Sequence, residues 1–327
     1  MNNEHRGQDP NAEALEMRRE QNKNKLDLKP NVDFVTRHAK IFEQGYKTIL
    51  ERTPDQEALE WADKIEFTGT DDIVEPQVYP EDVKKILARM PKALIQLSKL
   101  KSVSYHTFGH PRVIPVPGFD EEGNFDRKKV KLVPVDEFPR KDDHPSRILV
   151  GVSDGKKIYP TPIPETVSKD KRAVFLYQIH VLIHEFFHTV DYPRRTPGAR
   201  EEILLETDGQ QFTLQNWWEE FEELILSGKE PICVSSYANT YKDDLNTETA
   251  KKDYNDKFTS AIAEQMSESF VAHQLGIVSN DEGWTEFKKE SFGNEEQRTK
   301  FTDSQTPSAN LKWQLIDKLC RAKVITK

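Results

Sequence analysis

Cysteine is nearly absent from this chain of 327 residues. Cys233 and Cys320 are too few for a disulfide framework or a zinc knuckle, so two thiols in a reducing compartment are expected. Long apolar runs are missing as well: no stretch approaches the ~18 residues a membrane span needs. The opening residues, Met1 to Gln8, hold no apolar core of a signal peptide. A cytoplasmic location is therefore expected, with export by a leaderless route left open. Positive charge is in deficit. Against 56 Asp and Glu stand 47 Lys and Arg, and the net charge of −9 argues against a broad nucleic-acid surface. No internal repeat is visible, and nothing speaks to oligomeric state. What remains is 35% hydrophobic and 31% charged, long enough for one large domain with a proper core.

Composition divides the chain. Residues 1–30 are dense in Asn, Gln, Glu, Arg and Lys and poor in large apolar groups, so they cannot offset the entropy of ordering. They are expected to form a mobile polar tail. Residues 31–327 are expected to form one α+β domain, with helices and a β-sheet lobe over 31–165 and a buried helix followed by a helical lobe over 166–327. Val35, His38, Phe42, Tyr46 and Ile49 recur at helical spacing, as do Val83, Ile86, Leu87 and Met90. Pro91 kinks or restarts that second helix, and Leu94 and Leu97 continue it. Short β-favouring runs follow at Arg112–Val116, Val130–Val135, Ile148–Val152 and Lys157–Tyr159. Asp154-Gly155 between the last two is a hairpin signal. Pro160, Pro162 and Pro164 end strand structure. Ser168 or Asp170 caps the next helix. Further helices are expected across Glu201–Ser227, Phe258–Gly276 and Asn310–Ala322.

The least polar stretch of the chain runs from Val174 to Val190, and its polar exceptions include His180, His184, Glu185 and His188. A helix this apolar all round is buried, and buried polar groups need partners. His184-Glu185-Phe186-Phe187-His188 supplies one solution. Residues four apart share a helix face, so two imidazoles can bind one Zn²⁺ while the intervening Glu reaches a water on the metal. Composition alone would produce this spacing on the order of 0.02 times in such a chain, so the pattern carries information.

A catalytic zinc wants a third protein ligand and an open position. A Gly at 191 and a His at 194 would continue the metzincin pattern; Asp191 and Arg194 stand there instead. A Glu from a later helix is the remaining common solution. Glu264 and Glu268 share a face with Val271 and Leu275. One carboxylate can bind zinc while the other accepts an N–H from a ligating imidazole. The competing readings are an ordinary solvated acidic face, or Glu206 as the third ligand. His180 and Asp191, one turn to either side of the motif, are candidates for orienting it. His273 is expected to be structural, and His106, His110 and His144 have no metal-ligand spacing.

These residues resemble a known family. His184-Glu185-Phe186-Phe187-His188-Thr189-Val190-Asp191, then Ser235-Ser236-Tyr237-Ala238, then Glu264-Gln265-Met266-Ser267-Glu268-Ser269-Phe270 look like the gluzincin metallopeptidases of the anthrax lethal factor catalytic domain and Pro-Pro endopeptidase family. The match covers about 100 residues, from roughly 175 to 275. It implies a zincin-like fold, with a small mixed β-sheet and an edge strand above the buried active-site helix, and a C-terminal helical subdomain. It also implies one catalytic Zn²⁺ on His184, His188 and Glu264, with Glu185 as general base. Tyr237 would stabilise the tetrahedral intermediate, and Glu268 would stand behind the ligands. Here about 25 residues separate the Tyr from the Glu helix, where the family has few, so Tyr241 and Tyr254 are alternatives.

The expected activity is hydrolysis of peptide bonds in a protein or peptide substrate lying along a sheet edge. An aminopeptidase is a lesser reading, since no Gly-x-Met-Glu-Asn segment is present. A zincin scaffold that binds without catalysis is the other alternative, and the intact Glu185 argues against it. The sequence names no substrate.

Overall fold

The computed structural model describes residues 32–68, 77–105, 113–119, 125–134, 151–153, 155–160, 168–191, 200–226, 256–276 and 311–325. The expected polar tail, Cys233, Tyr237, Tyr241, Tyr254, His106, His110, His144 and Asp154 lie outside these residues.

Helix and strand are mixed, as the α+β expectation required. Helix α1 (Val32–Glu51) buries Phe42, Tyr46 and Ile49. Helix α2 (Gln56–Asp63) starts at Asp55, whose carboxylate accepts from the Ala58 backbone N–H at 2.8 Å. Strand β1 (Glu66–Thr68) follows. Then come α3 (Pro80–Leu87) and α4 (Lys92–Leu97), separated at Pro91, which sits at the start of α4. The expected single stripe is thus two short helices sharing one buried face. Pro91 has no N–H to continue the first and its fixed φ suits the start of the second.

Strands β2 (Ser102–Ser104), β5 (Gly151–Ser153) and β6 (Lys157–Pro160) join β1 in a mixed sheet of order β1-β2-β6-β5. The first two pairings are parallel, and β5 runs antiparallel to β6 at one edge. Gly155 in the β5–β6 turn has φ 87°, a conformation that costs residues with a Cβ. Strands β3 (Val113–Phe119) and β4 (Phe125–Pro134) form a separate antiparallel pair.

Helix α5 (Lys171–Asp191) carries the His-Glu-x-x-His sequence through the centre. Asp170 caps it, its Oδ1 accepting from the Ala173 N–H at 3.0 Å. The Ser168 hydroxyl in turn accepts from the Asp170 N–H. Every residue from Val181 to Asp191 is buried. α1, β5 and β6 pack against this helix. Its C-terminal turn is held by α4's end: the Lys99 N–H donates to the Thr189 carbonyl, and the Ser98 and Thr189 hydroxyls lie 2.7 Å apart.

One expectation fails here. The segment from Glu201 is not helical at its start. β7 (Leu204–Thr207) and β8 (Gln210–Thr213) form a hairpin, and helix α6 begins only at Leu214 and runs to Leu226. Asp208 and Gly209 have φ of 51° and 76°, the left-handed pair of a tight hairpin turn. A Leu-Leu-Glu-Thr run can serve either helix or strand, and the Asp-Gly turn decides it. The C-terminal lobe is accordingly not helical alone. Helices α7 (Asp256–Gln274) and α8 (Leu311–Arg321) accompany a sheet in which β9 (Lys323–Ile325) pairs with β7.

Helix α7 packs along α5, and its end is fixed to α1. Arg52 donates to both the side chain and the carbonyl of Gln274, the latter at 2.8 Å. No helix among the described residues is long and apolar enough to cross a membrane.

Candidate metal centre

Helix α5 offers His184 and His188 on the face that meets α7. Helix α7 answers with Glu264, Ser267 and Glu268, three polar residues at i, i+3 and i+4 and hence on one face. All five are buried. Buried polar groups must find partners, and here they find one another.

Glu268 Oε1 lies 2.8 Å from His184 Nδ1. Glu264 Oε2 lies 2.9 Å from His184 Nε2, and Glu264 Oε1 lies 3.5 Å from His188 Nε2. The two Nε2 atoms are 3.1 Å apart, and the Ser267 hydroxyl lies 3.3 Å from His188 Nδ1. The outer nitrogens therefore each have an acceptor: His184 Nδ1–H donates to Glu268 and His188 Nδ1–H to Ser267. That choice of tautomer leaves both Nε2 lone pairs aimed at the same point as the Glu264 carboxylate. Three lone-pair donors converging on one point repel one another unless a cation lies between them. Among the described residues, His184, His188 and Glu264 form a group that could hold a metal ion.

Without a cation the cluster can be neutralised only by protons. Burial disfavours charge on His184, yet the hydrogen bonds it donates to Glu264 and Glu268 hold its imidazole well above the usual range. Burial alone would raise both carboxyls. The interactions with His188 and His184 outweigh that for Glu264, and those with His180 and His184 do so for Glu268, leaving both well below the ordinary carboxylate range.

The other candidates take distinct places. Glu185 is buried, 7% exposed, and stands between His184 and His188 in the sequence of α5. His180 lies one turn earlier, its Nε2 3.5 Å from Glu268 Oε1. Asp191, at the end of α5, pairs with Arg200 Nη2 at 2.8 Å, and the Arg200 guanidinium lies 3.7 Å above the Trp218 ring. Its carboxylate thereby ties α5 to α6. Glu206, the rival third ligand, sits on β7 opposite Gln211 and Lys323 and outside the His184, His188, Glu264 group. The strand that removes it from a helix also removes it from the site. His273 pairs with Asp317, with the Cys320 sulfur 3.9 Å from its Nδ1, and burial pushes that thiol up. A raised thiol is not a nucleophile.

Ser267 was not among the sequence candidates. The signal for it was present: a hydroxyl three residues after Glu264 falls on the same face as Glu264 and Glu268. Comparison of the chain with protein-family models, with curated proteins and with solved structures finds no match.

Proposed function

We propose that this chain is a zinc-dependent endopeptidase with a gluzincin-type site and a zincin-like fold. The observation that carries the reading is the convergence of His184 Nε2, His188 Nε2 and the Glu264 carboxylate, with Glu185 between the two histidines. Ligand atoms about 2.0–2.1 Å from a zinc at tetrahedral angles lie about 3.3–3.4 Å apart. Here the two Nε2 atoms lie 3.1 Å apart, His184 Nε2 lies 2.9 Å from Glu264 Oε2 and His188 Nε2 lies 3.5 Å from Glu264 Oε1, all close to that value. Two imidazoles and one carboxylate are also a donor set that leaves a fourth position open. The residues fit the ion.

Zinc, when bound, supplies Lewis acidity toward a peptide carbonyl and makes water acidic near neutral pH. The protein's part is to hold and move protons and to orient groups. His184, His188 and Glu264 hold the ion, and Glu268 and Ser267 fix the tautomers of the two histidines. The Glu185 carboxylate takes the proton of the attacking water and passes it to the leaving amine. Strand β5, packed on α5, is the edge strand of its sheet among the described residues, and an extended peptide can join such an edge. On the family resemblance, Tyr237 donates to the developing oxyanion, with Tyr241 and Tyr254 as alternatives.

The test is zinc stoichiometry measured beside hydrolysis of a proteome-derived peptide library. One zinc per chain with cleavage is expected. Glu185→Gln should keep zinc and fold and lose at least about 100-fold in turnover, the lower range for a general base. Zinc without cleavage in the native chain would favour the silent scaffold, and unchanged turnover in Glu185→Gln would remove Glu185 from the mechanism.

A further inference from the structure

We infer that His180 is a positioning residue of the metal centre, acting through Glu268 to fix which nitrogen of His184 faces Glu264 and His188. The inference rests on the metal-site reading above and adds a layer behind it.

His180 lies one turn before His184 on α5, with its side chain 13% exposed. Its Nε2 is 3.5 Å from Glu268 Oε1, the same oxygen that lies 2.8 Å from His184 Nδ1. Its Nδ1 is buried and has no hydrogen-bond partner among the described residues. A neutral imidazole carries one N–H, and the two placements are unequal here. A proton on Nδ1 would meet no acceptor among the described residues, and the Nε2 lone pair would then face a carboxylate oxygen. Both arrangements are costly in a buried site. A proton on Nε2 would face the Glu268 carboxylate, 3.5 Å away. His180 is therefore the Nε2–H tautomer and a donor.

Packing holds that N–H in place. Tyr177 stacks on the ring at 5.6 Å and 19°, and Phe42 of α1 meets it edge-on at 4.9 Å and 68°. Glu268 Oε1 thus faces two N–H groups one turn apart on the same helix. Rotating the carboxylate away would lose both contacts together. Pinned in this way, Glu268 accepts from His184 Nδ1–H and keeps the Nε2 lone pair turned toward Glu264 and His188. Partners behind metal ligands commonly change affinity 10–100-fold, and His180 stands one step further back.

Two variants and one measurement on the native chain test this. His180→Phe keeps a ring between Tyr177 and Phe42 and removes the donor. His180→Gln returns an N–H near the Nε2 position. Zinc affinity is read by competition with a chromogenic chelator, beside the melting temperature of the metal-free protein. His180→Phe should weaken zinc binding about tenfold and leave the metal-free melting temperature near that of the native chain. His180→Gln should recover most of the loss. In the native metal-free protein, nitrogen NMR of the imidazoles should find His180 protonated at Nε2. Native affinity in His180→Phe, or a proton on His180 Nδ1, overturns the inference while leaving the site reading intact. A several-degree fall in the metal-free melting temperature assigns His180 to packing and also overturns it. If the native chain and His184→Ala bind zinc alike, the site reading itself fails and takes the inference with it.

Discussion

Gly45 of α1 approaches Leu275, just past the end of α7, so closely that a Cβ at position 45 would lie 2.7 Å from the Leu275 Cβ and 2.9 Å from its Cα. Part of that obstacle is backbone, which cannot swing aside. The absence of a side chain at Gly45 lets α1 and the end of α7 meet.

Gly45→Ala should therefore destabilise the protein, although Ala is the better helix former by ~1 kcal/mol. Overpacking of this kind costs typically 1–3 kcal/mol. A fall of several degrees in melting temperature is expected, because ~1 kcal/mol moves a domain of this size by roughly 2–4 °C. A rise would mean the helices do not approach there.

Gly209 makes the opposite case. Its φ is +76°, and nothing lies within 4 Å of a Cβ built on it. Gly209→Ala should cost ~1 kcal/mol from backbone strain alone. Gly209→Asn should cost less, since Asn tolerates the left-handed region. Equal effects of Ala and Asn, measured by chemical denaturation, would point to a lost contact instead.

Zinc affinity should rank four side chains by their distinct places. Glu264→Ala should be worst, because a three-ligand site becomes a two-ligand one. Glu268→Ala should follow, weakening binding about 10–100-fold, and Ser267→Ala less, since 3.3 Å is a longer contact than 2.8 Å. Glu206→Ala should change nothing measurable. Chelator competition gives the order directly, and Glu206 ranking first would overturn the assignment of α7 as ligand helix.

The pH dependence of the metal-free protein has a definite sign. His184 is raised above its ordinary 6.5, so its stabilising charge is complete below that pH and is lost as pH climbs through the native value. Glu264 and Glu268 are lowered from 4.5, so their contribution is present above that pH and fades as pH falls through their native values. Metal-free protein should melt highest between these limits, with a shoulder on the alkaline side. Zinc must displace the His184 proton, so the melting shift it produces should grow from about pH 5.5 to about pH 8. A shift that stays constant over that range would contradict the clustered protonation.

The sequence made α5 legible because four-residue spacing and burial were both written into 174–190. It made α7 legible because two carboxylates stood in register with Val271 and Leu275. What it hid was contact between distant segments. Ser267 gains meaning only when His188 lies opposite it, and Asp191 only when Arg200 folds back onto Trp218. Leu204 and Leu205 suit helix and strand alike, and the Asp208-Gly209 turn is what selects the β7–β8 hairpin. The Arg52–Gln274 bond joins residues 222 apart, a separation no local pattern reports.

His184 and Glu264 stand 80 residues apart in the chain. An ion held by both would tie that span into a closed ring, as a cross-link does. Unlike a covalent cross-link, the ion would leave the unfolded chain, which has no formed site, and would stabilise the folded state by its binding free energy. The same ion would then serve as a staple between α5 and α7, and the lifetime of the folded chain would follow the supply of metal as well as the sequence.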